Sequence, residues 1–240
     1  MSTATTATDL TLPLLSGRYH FLLRRLHSLS GITFGGYLFI HLIVNGSIAQ
    51  LGDVYQLQVA RIHELPFLSG IEWTFIYLPI LFHMTYGVWI TLTGQPNVER
   101  YSYGRNWLYI MQRVTAIILI FFILFHVLAL KYGLFGAALT FDPNRASVSI
   151  HQHMTAYWWL KWIVYPVGVL AACFHLANGY WAAAISWGLT VSAGAQRRWG
   201  YVCLAAFFVA FTLGMTAIVA AATIIPTTSS VARGLTRIAM

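Results

Sequence analysis

Of the nine histidines in this 240-residue chain, His41, His83, His126 and His175 stand deep inside stretches that contain no Asp, Glu, Lys or Arg. A single histidine in such a stretch is as readily a neutral imidazole sharing its proton with a carbonyl as it is a ligand. Four of them, in four separate stretches, shift that balance towards function, because an ionisable group inside a membrane is costly to keep. A neutral imidazole offers a nitrogen lone pair to a transition metal. The surrounding interior supplies no carboxylate, and Cys173 and Cys203 both lie in apolar runs. A disulfide framework and a thiolate site are therefore not expected, and a zinc or non-haem centre would want acids or thiolates at one level.

The elements that must position these imidazoles follow from where charge is missing. The charge-free intervals run from Arg25 to Asp53, Glu72 to Glu99, Arg113 to Lys131, Lys161 to Arg197 and Arg198 to Arg233. Spanning a hydrocarbon core of about 30 Å takes roughly 20 residues of helix. Five transmembrane helices are expected, near 29–51, 71–93, 108–130, 159–185 and 200–225. They form an all-α, polytopic membrane domain over 18–225, between a mobile N-terminal tail at 1–17 and a C-terminal tail at 226–240. The third interval is the shortest, and its helix extends backward if Arg113 snorkels or faces a polar site.

Composition agrees: 58% of the residues are hydrophobic and 8% are charged, which excludes a water-soluble globule. The net charge of +8 is spread too thinly for a nucleic-acid face and suits anionic lipid headgroups or an acidic partner. With the N-terminus inside, that side holds eight basic residues, Arg18, Arg24, Arg25, Arg100, Arg105, Arg113, Arg197 and Arg198, against six on the other, Arg61, Lys131, Arg145, Lys161, Arg233 and Arg237, or against four without the two in the terminal tail. By the positive-inside rule the N-terminus is expected in the cytoplasm.

Depth sorts the histidines. At about 1.5 Å per residue, His41 and His126 stand roughly 24 and 20 Å above their inner anchors, Arg25 and Arg113. Counting down from Glu72 and Lys161 through a core of about 30 Å puts His83 and His175 roughly 14 and 9 Å above the same face. Two imidazoles at one level on neighbouring helices are what a six-coordinate b-type haem requires. The expected pairs are His41 with His126 and His83 with His175, two haem b in all. Small residues one turn from a ligand would give a porphyrin room. His83 and His175 each begin a His-x-x-x-Gly-x-Trp pattern, and Gly31, Gly35 and Gly36 precede His41. The competing reading is that these glycines serve helix packing alone. Pro79 and Pro166 are expected to kink their helices. His27 is assigned to a polar cap, and His20, His63, His151 and His153 to solvated loops or helix ends.

From Arg18 to Val219 the chain resembles the dihaem, b558-type cytochrome b membrane anchors of succinate:quinone oxidoreductases, the respiratory succinate dehydrogenases and fumarate reductases. The resemblance rests on Arg24-Arg25-Leu26-His27-Ser28-Leu29-Ser30-Gly31, on Tyr77-Leu78-Pro79-Ile80-Leu81-Phe82-His83-Met84-Thr85-Tyr86-Gly87, and on Tyr101-Ser102-Tyr103-Gly104-Arg105-Asn106-Trp107 leading to Gln112-Arg113. It implies a five-helix bundle whose first four helices carry the ligands, with the His83–His175 haem nearer the cytoplasm. It also implies a flavoprotein (FAD) subunit and an iron–sulfur subunit docked on the cytoplasmic face of a bacterial inner membrane, and a quinone acceptor, menaquinone by preference. The dicarboxylate chemistry would lie in the flavoprotein, since this chain carries no dinucleotide fingerprint and no cysteine run for a cluster.

Arg24, Arg25, Ser28 and Arg113 are the candidates to meet haem propionates, since guanidinium pairs well with carboxylate where water is scarce. Plain anchoring at the inner face is the alternative. His63, Glu64 and Glu72 are the candidates for a quinone site near the outer face. The 131–157 segment is expected as a long loop that touches no ligand. A cytochrome b serving a hydrogenase or formate dehydrogenase, and a haem-free scaffold or transporter, remain as other readings.

Overall fold

The computed structural model describes residues 17–50, 52–94, 99–100 and 102–223. The expected tails fall outside these residues, apart from Gly17 at the very start of the first helix, and Arg233 and Arg237 fall outside with them. Among the described residues the regular elements are all helical. They are α1 (Gly17–Gly46, tightening into a 3₁₀ turn at Ser47–Gln50), α2 (Gly52–His63), α3 (Leu68–Thr93), α4 (Gly104–Leu130), α5 (Ala146–Ala156), α6 (Leu160–Ser186) and α7 (Ala193–Thr223).

α1, α3, α4, α6 and α7 are each long and apolar enough to cross a membrane. Several begin earlier than the charge-free intervals do: α1 starts at Gly17, α4 at Gly104 and α7 at Ala193. The charge gaps mark the hydrocarbon-buried part only. Backbone hydrogen bonding carries each helix on into the headgroup region, where Arg24, Arg25, Arg105 and Arg198 can stay hydrated. Exposed aromatic side chains gather at both ends of the bundle. Tyr19, Tyr103, Trp107, Trp187 and Tyr201 lie on the side where α1 begins, here the near side, and Trp73, Tyr132, Tyr157, Trp158 and Trp162 on the far side. Amphipathic rings at two such levels are the mark of two membrane interfaces.

α1 packs against α3 on one flank and α7 on the other, and α6 packs against α4 and α7. The four helices α1, α3, α4 and α6 thus surround the four interior histidines, and α7 closes the back. Close crossings use glycine. At Gly214 an added Cβ would lie 2.6 Å from Val169, and at Gly168 it would collide with the Phe122 ring. Both prolines follow a π-helical turn, Trp73–Tyr77 before Pro79 and Leu160–Val164 before Pro166. Proline lacks the N–H that closes an α turn, and a wider turn just ahead of it absorbs the mismatch.

The far side is capped rather than open. α2 and α5 lie across it and share one apolar cluster with the spanning helices, including Leu42, Tyr55, Val59, Leu139, Ile150, Met154, Leu160, Tyr165 and Ile218. Gln56, 2% exposed, ties the two together: its Nε2 donates to Pro143 O at 2.8 Å and its Oε1 accepts from Ala146 N–H at 2.7 Å. His151 Nδ1 donates to Ala221 O at 2.8 Å, which pins α5 to the end of α7. The 131–157 segment is therefore an ordered cap and not a free loop.

Candidate functional site

Each interior histidine comes from a different spanning helix, and they meet in twos. His41 of α1 faces His126 of α4 with ring centres 5.8 Å apart and ring planes at 84°. His83 of α3 faces His175 of α6 at 6.1 Å and 81°. Two metal–imidazole bonds of about 2 Å each, plus the reach from each nitrogen to its ring centre, come to roughly 6 Å. Both pairs have the separation of two imidazoles bound to one metal ion.

The second nitrogens fit that role. His83 Nδ1 donates to the carbonyl of His27 at 3.0 Å, with Ser30 Oγ at 3.5 Å. A carbonyl only accepts, so the proton sits on Nδ1 and the lone pair on Nε2. Thr115 gives its hydroxyl proton to Met111 O at 2.8 Å and can accept from His175 Nδ1 at 3.2 Å. His41 Nδ1 meets the Tyr37 hydroxyl at 3.3 Å, and His126 Nδ1 meets that of Tyr165, also at 3.3 Å. In all four rings Nδ1 is engaged by a second residue, and among the described residues no hydrogen bond is made by Nε2. This is how ligand imidazoles are oriented in metal sites.

Buried atoms without partners point the same way. Among the described residues, Arg113 Nε, His27 Nδ1 and Thr190 Oγ1 are buried and make no hydrogen bond. A ring that brings carboxylates would give the Arg113 donor an acceptor. The paired imidazoles and this orphan donor together fit a b-type haem.

The remaining expected residues are scattered. Arg24 is exposed. Arg25 lies 5.0 Å from the Phe21 ring and 4.8 Å from that of Trp187, whose Nε1 donates to Ser28 Oγ at 3.0 Å. Arg25 and Ser28 thus converge on Trp187. Arg113 turns back along α4 and donates to Tyr109 O at 3.2 Å and to the Tyr109 hydroxyl. On the far side, His63 Nδ1 donates to Val59 O at 2.8 Å, Glu64 is exposed, and Glu72 is paired with Lys131 at 2.6 Å.

Several expectations change. His153 is fully buried, not solvated: its Nδ1 donates to Leu139 O at 2.9 Å and its Nε2 lies 2.7 Å from the Tyr165 hydroxyl. Burial holds its imidazole below the usual range. His151 is likewise part of the α5–α7 contact. The 131–157 segment reaches a candidate ligand through a single intervening residue, Tyr165. His27 does more than cap a helix, since its ring stacks on His83 with centres 4.0 Å apart. Gly31 makes room for the His83 ring itself, Gly35 for Leu176 and Tyr180, and Gly87 for His27, while a Cβ on Gly36 would meet nothing within 4 Å. Gln112, whose Nε2 donates to His175 O at 3.1 Å and whose Oε1 accepts from Asn178 at 2.7 Å, was visible in sequence only as part of a motif. Tyr37, Thr115 and Tyr165 gave no signal there, because hydroxyl residues are ordinary in membrane helices.

Five long apolar helices with imidazole pairs held between four of them define an integral membrane helical bundle. Residues 95–214 match the family described as succinate dehydrogenase/fumarate reductase transmembrane subunit. The succinate dehydrogenase cytochrome b558 subunit of Bacillus subtilis (strain 168) is 38% identical over 208 residues, which cover 86% of this chain and 99% of that one. The chain belongs to this family of membrane subunits, which favours succinate and fumarate enzymes over the hydrogenase or formate dehydrogenase alternatives.

Proposed function

We propose that this subunit anchors a succinate dehydrogenase or fumarate reductase and carries electrons between an iron–sulfur subunit and membrane quinone through two bis-histidine b haems. The observation that supports it best is the pair of imidazole couples near 6 Å, each ring with Nδ1 engaged and, among the described residues, Nε2 unbonded. When bound, the haems supply one-electron carriers at two depths. The chain's own residues do the rest. His83 and His175 hold the near-side group, and His41 and His126 the far-side group. His27 O, Thr115, Tyr37 and Tyr165 fix the rings.

The N-terminus lies in the cytoplasm of a bacterial cell, so the near side receives the iron–sulfur subunit, with the FAD-containing flavoprotein beyond it. Arg113, with its partnerless Nε, and the Arg25–Ser28–Trp187 group with neighbouring Arg24 offer donors to propionates at that end. Quinone, menaquinone by preference, approaches the far side. There Glu72 and Lys131 form an ion pair beside Tyr77, with His63 and Glu64 in the adjoining segment.

A reduced-minus-oxidised spectrum of the detergent-purified complex tests this. Two b haems per chain that succinate reduces are expected. His83→Ala and His175→Ala should remove one haem, and His41→Ala and His126→Ala the other. Loss of different haems within a pair would overturn the pairing, and a folded, colourless subunit would overturn the proposal.

A further inference from the structure

A hydrogen-bonded chain leads from the far-side pair into the extramembrane cap, and its polarity is set at one end. Leu139 O can only accept, so His153 Nδ1, 2.9 Å away, carries a proton. Complete burial of His153 disfavours a second proton on Nε2, so that nitrogen accepts. The atom 2.7 Å from it is the Tyr165 hydroxyl oxygen, which must therefore donate. Having spent its only proton, that oxygen can only accept from His126 Nδ1 at 3.3 Å. His126 is thereby left with its lone pair on Nε2, its ring centre 5.8 Å from that of His41. Packing holds the chain in place: Phe122 stacks on His126 with centres 5.7 Å apart and meets Tyr165 edge-on at 5.5 Å.

None of the other three interior histidines is fixed this way. His83 is set by a carbonyl and His175 by a threonine, each in direct contact. His41 meets Tyr37, with no further partner on that hydroxyl among the described residues. Among the described residues, only at His126 does the hydrogen-bonded support leave the spanning helices, passing through His153 of α5 to the Leu139 carbonyl.

From this geometry we infer that Tyr165 and His153 are positioning residues for the far-side haem, fixing the tautomer and ring orientation of His126 and tuning the iron from the cap. The inference rests on the bis-histidine reading above. A hydroxyl that donates onward is a better acceptor, so the chain strengthens the pull on the His126 Nδ1 proton. That makes the imidazole a more basic ligand and favours the oxidised metal. Cutting the chain should raise the potential of one haem only.

The test is a redox titration of both haems, with haem stoichiometry, in the intact complex. Tyr165→Phe keeps the ring against Phe122 and removes only the hydroxyl. His153→Phe removes the relay, and His153→Gln keeps an acceptor for Tyr165 and a donor for Leu139. Tyr165→Phe and His153→Phe are expected to shift upward the potential of the same haem that His126→Ala removes, leaving the other unmoved, with His153→Gln close to wild type. Unchanged potentials in Tyr165→Phe at full haem content would overturn the inference and leave the ligand assignment standing. A shift in the other haem would also overturn it. Retention of both haems in His126→Ala would instead sink the ligand assignment. If His153→Phe does not assemble, Tyr165→Phe alone decides.

Discussion

Gly31 shows how little freedom the near-side pair has. A Cβ there would sit 2.6 Å from His83 Cε1 and 2.9 Å from its Nδ1, closer than atoms pack. Gly31→Ala must push the ring out of line with His175, and overpacking of this kind costs about 1–3 kcal/mol. Thermal unfolding in detergent should fall accordingly, and near-side haem occupancy should drop while the far-side haem persists. An unperturbed near-side spectrum would mean that the ring gives way freely. At this scale the four interior histidines were legible because charge is so scarce around them that each imidazole stood out. Their supporting atoms were not legible. A threonine at 115 or a tyrosine at 165 looks like any other helix residue until a neighbouring helix brings it to a nitrogen, and the His27 carbonyl carries no side-chain signature at all.

The spanning helices could be read from charge gaps, and Pro79 and Pro166 marked where two of them depart from regular α geometry, expected there as kinks and found as π turns. The cap could not. Gly133 and Gly136 adopt positive φ, and Pro143 begins a 3₁₀ turn, so the segment before α5 reads as broken loop. What orders it is long-range. Gln56 supplies both halves of its amide to the α5 start from a residue 90 positions away. Gln56→Ala should leave the buried Ala146 N–H without a partner, a loss of about 1–3 kcal/mol. Protease resistance of the 131–157 segment and the unfolding temperature should both decline. A change within error would show that the His151–Ala221 and apolar contacts hold α5 unaided.

For the molecule as a whole, five spanning helices would put the start of α1 and the end of α7 on opposite sides of the membrane, and the orientation proposed above puts the start of α1 inside. A fluorescent protein fused before α1 should therefore glow, and alkaline phosphatase fused after α7 should be active. The reverse pattern would invert the subunit and move the iron–sulfur partner to the capped side. The number of helices was legible because one rule, the cost of charge in hydrocarbon, governs every window. The diagonal meeting of α1 with α4 and of α3 with α6 needed depth counting as well. The cap has a further consequence, in time. His41 and His126 are both in the membrane once α4 has inserted, yet the support behind His126 waits for α5 and α6, and the clamp on α5 waits for Ala221 near the end of α7. At about 5–20 residues per second, synthesis from His126 to Ala221 takes on the order of 5–20 s. Through that interval the far-side histidines stand unroofed, and the last of the described helices to be made is the one that shuts them in.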